Sequence, residues 1–388
     1  MTSSDHSLWV ERLSLTNFRN YAQLTLETGS EPQVIAGANG SGKTNLLEAI
    51  SLLAPGQGLR RATFAEIPRA AGDGGFAVAA HVHTLNGPAD IGTGLQPGTV
   101  ATRTSERGRI VRVDGVAQSG SGILADYLEI VWVTPAMDGL FTGAASERRR
   151  FLDRLILCFD PAYRTLAGRF ERAMTSRNKL LADGSRDHIQ LQGFERVMAE
   201  TGVAVAAARL EAVAAMATII ATRKARDEKS AFPWSNLTLE GRLEDELAAR
   251  PAIDVEDLYA QILRDTRERD RGAGRTLDGP HRSDLFVGHG PKAIAARLCS
   301  TGEQKALLLG LVLAHAELLT ERQEGAAPIL LLDEITAHLD EHRRAALFDE
   351  ILRLKAQAWM TGTDDSAFTA LEKNARFWRA DDGELSAL

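Results

Sequence analysis

An α/β fold assembled from both ends of the chain, with a helical lobe inserted between them, is what three observations in the sequence predict. The first is a glycine-rich segment, Gly37-Ala38-Asn39-Gly40-Ser41-Gly42-Lys43-Thr44, placed between the apolar stretch Val34-Ile35-Ala36 and the helix-like run Asn45–Ile50. The second is Ile329–Leu332, a continuous apolar run of the kind that forms a buried parallel strand, ending in Asp333-Glu334. The third is spacing. Lys43 and Asp333 lie 290 residues apart, and a fold that uses both must bring them together across a large insertion.

The glycine-rich segment satisfies G-x-x-x-x-G-K-[ST] in the strand–loop–helix context that phosphate binding requires. Successive backbone N–H groups and a helix N-terminus converge on an anion there, and glycines let the backbone close around it without Cβ clashes. The pattern therefore predicts an ATP-binding loop formed by Gly37, Ala38, Asn39, Gly40, Ser41, Gly42, Lys43 and Thr44. Lys43 is expected on the phosphate oxygens, and Thr44 with Asp333 on Mg²⁺. Glu334, next to Asp333, is placed to polarise an attacking water. Alone, two acids at a strand end would be an ordinary solvated terminus; paired with the phosphate loop they are candidate catalytic groups alongside Lys43.

The elements follow in order. Trp9–Leu15, Leu24–Glu27, Val34–Ala36, Phe76–Val82 and Ile110–Val113 read as strands, with Asp114-Gly115 as a turn. From Asp160-Pro161 the period changes to three and four, through Tyr163, Leu166, Phe170, Ala173 and Leu180. After the break Asp183-Gly184-Ser185 it resumes through Val203, Ala206, Leu210, Val213, Ala217 and Ile220, which predicts a short antiparallel helical hairpin or bundle. Asn236–Leu239 reads as a return strand, Ala252–Arg269 as a helix, and Gly272–Gly274 as re-entry. The expected division is 1–150 and 271–388 for the head and 151–270 for the lobe.

At 388 residues, 44% hydrophobic and 25% charged, the chain reads as soluble and globular, with more than one core. The net charge of −7 means that any basic surface is local. Cys158 and Cys299 lack metal spacing and read as buried reduced thiols. Met1–Val10 lacks a basic n-region, Ala306–Ala314 is too short to span a bilayer, and Arg209 and Glu211 interrupt Val203–Ala221. A cytoplasmic protein without a membrane partner is expected.

Ser300-Thr301-Gly302-Glu303-Gln304 precedes the apolar helical run Ala306–Leu319 and is a second anion-binding arrangement at a helix start. By itself it would be a capping motif. Its position some thirty residues before Asp333 makes it resemble the signature of ABC-type P-loop ATPases, and Ala337-His338-Leu339-Asp340 resembles the loop that crosses the dimer interface in those proteins. The resemblance implies that Ser300, Gly302, Gln304 and Asp340 complete the partner's ATP site in an ATP-dependent homodimer. Leu15–Tyr21, Asn39–Ile50, Arg148–Asp153, Arg177–Leu181, Arg275–Asp284 and Asp333–Asp340 together resemble one family, RecF, short relatives of the SMC and Rad50 ATPases. Ala136 stands where that family usually has an acidic residue, and Thr361-Gly362-Thr363 where transporters have a histidine switch.

Membership would imply an ABC-type head with slow, DNA-stimulated ATP hydrolysis. It would imply duplex or gapped-junction DNA binding in replication and SOS-linked recombinational repair, with RecO and RecR helping RecA onto DNA. Arg148–Arg150, Arg154, Arg164, Arg169, Arg172, Arg177, Lys179, Arg223, Lys224, Arg226, Arg264, Arg267, Arg269, Arg271 and Arg275 are the basic residues that could meet phosphates, or else form solvated helix faces. No aromatic–basic interleaving suggests a single-strand platform. An ABC transporter subunit would need a shorter insert, a long coiled-coil repair ATPase several hundred heptad residues, and a GTPase an Asp after Asn178-Lys179. The alternatives that remain are another SMC-like repair ATPase and, less well matched, the transporter subunit.

Overall fold

The computed structural model describes residues 8–98, 108–184, 187–227 and 230–388. By packing it divides into two units. One contains the described residues up to Asp138 with those of Asp227–Phe232 and Thr301–Leu388; the other contains those of Gly139–Arg226 and Pro233–Ser300.

The first unit opens with strands β1 (Trp9–Phe18), β2 (Tyr21–Glu27) and β3 (Gln33–Ala36), then helix α1 (Lys43–Ser51). Strands β4 (Phe76–Thr84), β5 (Gly87–Leu95), β6 (Arg109–Val113), β7 (Val116–Ala117) and β8 (Ile130–Val133) follow. Six of them form an antiparallel sheet in the order β2-β1-β4-β5-β6-β7. Alternation fixes its faces: Phe76, Val78, Ala80 and Val82 are buried, while the residues between them on β4 are more exposed. The Asp114-Gly115 turn forms as expected, with positive φ at both residues (48° and 79°). Strand β5 was not anticipated. Its sequence, GPADIGTGL, carries proline and three glycines, but pairing with β4 on one side and β6 on the other overrides that weak propensity.

The second unit contains α2 (Ala145–Leu157), α3 (Tyr163–Ala182), α4 (His188–Arg226), β9 (Ser235–Glu240), α5 (Arg242–Ala249), α6 (Ala252–Asp265), α7 (Arg267–Ala273), β10 (Asp284–His289) and β11 (Ile294–Ala295). Helices α3, α4 and α6 share a core of Phe170, Ala173, Met198, Val203, Ala206, Tyr259 and Leu263. These include positions picked out by the helical period. The helix expected over Ala252–Arg269 breaks at Thr266 (ψ 8°), so that Arg267 begins a new helix. The sequence reading placed 139–150 and 271–300 in the head, whereas packing places them here. The reason is local: β10 pairs antiparallel with β9 along its whole length, and α2 packs on β10.

At the end of α3, Gly184 has φ 68°, the left-handed conformation that ends helices; Ser185 of the expected break lies outside the described residues. A short flexible insertion between Asp183 and Gly184, both exposed, is expected to leave ATP binding within about twofold of the parent protein. Loss of ATP binding in an equilibrium titration would count against the hairpin reading. Helix α4 is long and apolar enough by composition to cross a bilayer, but half of that stretch is buried within the protein. Arg209 in its middle makes two bonds to Asp153, at 2.8 and 2.9 Å.

The chain then returns to the first unit with α8 (Thr301–Arg322), β12 (Ile329–Leu332), α9 (Glu341–Leu354), β13 (Ala358–Gly362), β14 (Arg376–Asp381) and β15 (Glu384–Ala387). A second six-stranded sheet runs β15-β14-β3-β13-β12-β8, parallel except for β15. Every residue of β3, β12 and β13 is buried, as expected for interior parallel strands. The N-terminal strand β3 lies between β13 and β14, so the parallel sheet is built from both ends of the chain. Gln357 ties the two sheets together. Its side chain accepts from the Val10 N–H (2.9 Å) and donates to the carbonyls of Val10 (2.9 Å) and Gly29 (2.7 Å).

Candidate nucleotide site

The phosphate loop leaves the end of β3 and enters α1 at Lys43. Gly42 caps that helix with φ 112°, and a Cβ there would lie 2.6 Å from Asn20 Nδ2 and 2.8 Å from the Tyr21 hydroxyl. Gly37 is required for a different reason: a Cβ would come within 2.4 Å of the Ala380 carbonyl. The loop is held from outside by groups quoted in the sequence only as family resemblance. Asn20 Nδ2 donates to the Ser41 carbonyl (3.2 Å) and the Tyr21 hydroxyl to that of Gly42 (3.0 Å). Arg19 makes two bonds, 2.8 and 2.6 Å, to the fully buried Glu48 one turn into α1, and Arg60 approaches the same carboxylate at 3.0 Å. Two guanidinium groups neutralise a charge that could not otherwise be buried under the loop.

Lys43 is buried and its ammonium donates to the carbonyls of Gly37 and Ala38, both at 2.7 Å. Burial holds its pKa below the ordinary lysine value, against the opposing pull of the Glu334 and Asp333 carboxylates. Ser41 is also buried, and its hydroxyl has no hydrogen-bond partner among the described residues. A cation held only by neutral carbonyls and an unsatisfied hydroxyl, side by side in one loop, fit an anionic oxygen ligand.

The two distant motifs meet as the sequence requires. Thr44 Oγ1 lies 2.9 and 3.0 Å from the two carboxylate oxygens of Asp333. Asp333 is buried at the end of β12, and Thr361 at the end of β13 donates to its Oδ1 at 2.8 Å. The same Thr361 hydroxyl accepts from the Glu334 N–H, also at 2.8 Å. Glu334 has φ 48°, left-handed for a non-glycine residue, and its carbonyl faces the buried Lys305 ammonium (3.5 Å), which pairs with Asp138 (3.2 Å). Its backbone is thus held on both sides in a conformation that costs energy. A hydroxyl and a carboxylate in contact form a hard-oxygen donor set suited to Mg²⁺. The roles of Thr361 and Lys305 were missed in the sequence. A threonine where a histidine is common was a signal; a single lysine inside a capping motif was not.

Ser300 immediately precedes α8, and Gly302 lies in its first turn. A Cβ on Gly302 would lie 3.1 Å from the His338 carbonyl, so the start of α8 and the loop after β12 pack closely. Gln304 is buried, and Asp340 caps α9 by accepting from the Arg343 N–H at 2.8 Å. Several arginines considered for DNA contact are tied to acids within the protein. Arg177 is fully buried between Glu195 (3.1 Å) and Asp270 (2.8 Å), Arg148 bonds Asp284 (2.7 and 2.8 Å), and Arg267 pairs with Glu195. Arg150, Arg164, Arg172, Lys179 and Arg275 are exposed.

The family model for the RecF/RecN/SMC N-terminal domain matches residues 9–385. A protein of Mesorhizobium japonicum named DNA replication and repair protein RecF is 52% identical over 97% of each chain. Relatives of the same name from Rhizobium etli (51%; 98% of this chain, 99% of the relative) and Brucella suis (52%; 98% and 96%) are similar over comparable lengths. Among solved structures, the recombination mediator protein RecF-ATP of the RecFOR pathway superposes with a TM-score of 0.83 at 21% identity over 100% of both chains. An SMC head domain from Pyrococcus furiosus gives 0.54 at 17% identity over 98% of this chain and 96% of its own. The fold is therefore the ABC-type ATPase head expected from the sequence, and the chain belongs to the RecF family.

Proposed function

We propose that this chain is an ATP-dependent DNA-binding protein of replication and recombinational repair, a weak ATPase whose ATP-bound form is a homodimer. The observation that carries the reading is the continuous hydrogen-bonded series Thr44–Asp333–Thr361–Glu334, which joins the phosphate loop to the candidate base. The names of the relatives, DNA replication and repair protein RecF, support the cellular role. Action at gapped or junction DNA with RecO and RecR, helping RecA onto single strands within the SOS response, belongs to the same proposal, as do a cytoplasmic location and stimulation of hydrolysis by DNA.

In this mechanism Lys43 gives up its carbonyl partners for phosphate oxygens, and Ser41 acquires the acceptor it lacks. Mg²⁺, when bound, neutralises charge on the phosphates; Thr44 and Asp333 are the residues that would hold it. Thr361 fixes the orientation of Asp333 and positions the Glu334 backbone, so that the Glu334 carboxylate can take a proton from an attacking water. Ser300, Gly302 and Gln304, with Asp340, serve the partner's nucleotide.

The test is complementation. Ser300→Arg places a long cation where a hydroxyl must approach phosphate, and Lys43→Met removes the ammonium. Each variant alone is expected to lose at least about 90% of phosphate release: Lys43→Met because one missing charged contact costs roughly 2–4 kcal/mol, and Ser300→Arg because its longer side chain blocks closure over the partner's phosphates. Mixed, they form one composite site with an intact phosphate loop and an intact signature, and part of the activity returns. If mixed dimers form by cross-linking and no activity returns, Ser300 does not act in trans.

A further inference from the structure

On the solvent face of the antiparallel sheet, away from the phosphate loop in sequence, Glu11, His81 and His83 converge. Each offers one ligand atom, and the three atoms lie within 4.8 Å of one another. His83 Nε2 is 2.6 Å from Glu11 Oε2, and His81 Nε2 is 3.9 Å from the same oxygen. Donors on a tetrahedral zinc ion, with bonds of about 2.0–2.1 Å, sit roughly 3.3 Å apart, so small rotamer changes suffice.

The backbone explains why these three meet. His81 and His83 alternate with buried Val82 on β4 and so share its outer face. The register slips between Val10, which faces Val82, and Arg12, which faces His81, leaving Glu11 as an extra residue between them. Such a bulge re-aims a side chain, and bulges concentrate at functional positions. Two further contacts orient the rings. Asp90 Oδ1 on β5 lies 2.8 Å from His81 Nδ1, which leaves Nε2 for a ligand, and Trp9 stacks on His83 with centroids 4.2 Å apart. A carboxylate behind a histidine is the arrangement that fixes tautomer and orientation in metal centres.

We propose that Glu11, His81 and His83 form a divalent transition-metal site of the zinc class, with its fourth position open to solvent. Two imidazoles and one carboxylate favour such an ion over Mg²⁺ or Ca²⁺, which take oxygen ligands. Bound there, the ion staples β1 to β4 across the bulge. It displaces the direct Glu11–His83 bond and requires both imidazoles neutral.

The test uses the whole chain, stripped with chelator and titrated with Zn²⁺ in excess Mg²⁺, so that the oxygen-ligand site at Thr44 and Asp333 does not compete. One equivalent of Zn²⁺ is expected to bind, and Co²⁺ is expected to give tetrahedral visible absorption bands. His81→Ala with His83→Ala should remove that equivalent, while ATP binding stays within twofold. Asp90→Asn keeps all three ligands and should weaken Zn²⁺ about 10–100-fold, which checks the geometry should the double variant fold poorly. A wild-type chain that takes up no Zn²⁺, or variants that bind it unchanged, would overturn the proposal.

Discussion

Glu334→Gln is expected to slow ATP turnover by about 10²–10⁴-fold, the usual contribution of a positioned general base, while ATP affinity changes by no more than a few fold. Glutamine is close in shape, and the backbone at this position is fixed independently of the carboxylate, by Thr361 on one side and Lys305 on the other. The substitution therefore removes proton transfer without moving the residue. The hydrogen bonds of Lys43, Thr44 and Asp333 do not involve the Glu334 carboxylate, so nucleotide binds and the closed form accumulates. Steady-state phosphate release and size-exclusion chromatography with ATP test both halves. Turnover within threefold of the parent protein would remove Glu334 from the role of base, and loss of ATP binding would mean that the left-handed backbone at this position depends on the acid.

The second large effect concerns stability. Arg177→Met is expected to destabilise the helical unit by about 3–5 kcal/mol, because it strands buried acids. Arg177 donates to Glu195 (3.1 Å), Asp270 (2.8 Å), Thr276 Oγ1 (2.9 Å) and the Leu263 carbonyl (2.6 Å), and no part of its side chain reaches solvent. Once it is gone, Glu195 keeps Arg267, whereas Asp270 keeps the more distant, half-exposed Arg269 guanidinium (3.6 Å) and neutral donors such as the Leu277 N–H at 3.2 Å. Hydrogen exchange read by mass spectrometry should show deprotection in α3, α4 and α6. Adding Asp270→Leu should recover part of the loss, since removing both charges is far cheaper than removing one. Unchanged exchange in those helices would contradict the assignment of Arg177 as their central tie.

That arginine also shows where sequence reading stops. Arg177 sits in a basic stripe on a helix, and a stripe looks the same whether its members face solvent or a buried acid ninety residues later. Pattern located the helix; only packing separated Arg177 from exposed neighbours such as Arg172 and Lys179. The nucleotide site was more legible because its chemistry constrains adjacent residues: glycines at Gly37 and Gly42, a lysine and a hydroxyl in sequence. Asp333 and Glu334 were visible because an all-apolar strand ends at them. Thr361, Lys305 and Asn20 act through three-dimensional contacts with no local spacing, and so were not assigned. Strand β5 was hidden for a related reason, its pairing being supplied by neighbours rather than by its own residues.

The position of β3 between β13 and β14 has a consequence for synthesis. The strand that carries the phosphate loop leaves the ribosome early, but both of its sheet partners are made some 325 or more residues later. At about 5–20 residues per second, the wait is on the order of 15–65 s. Throughout that interval Val34, Ile35 and Ala36 have two open hydrogen-bonding edges and no native partner on either side. The helical unit, by contrast, is fully translated before β13 appears. The nascent protein thus passes through a stage in which its lobe can be finished while its nucleotide site cannot exist. The head closes last, around a strand that has been exposed to chaperones, or to aggregation, longer than almost any other part of the chain.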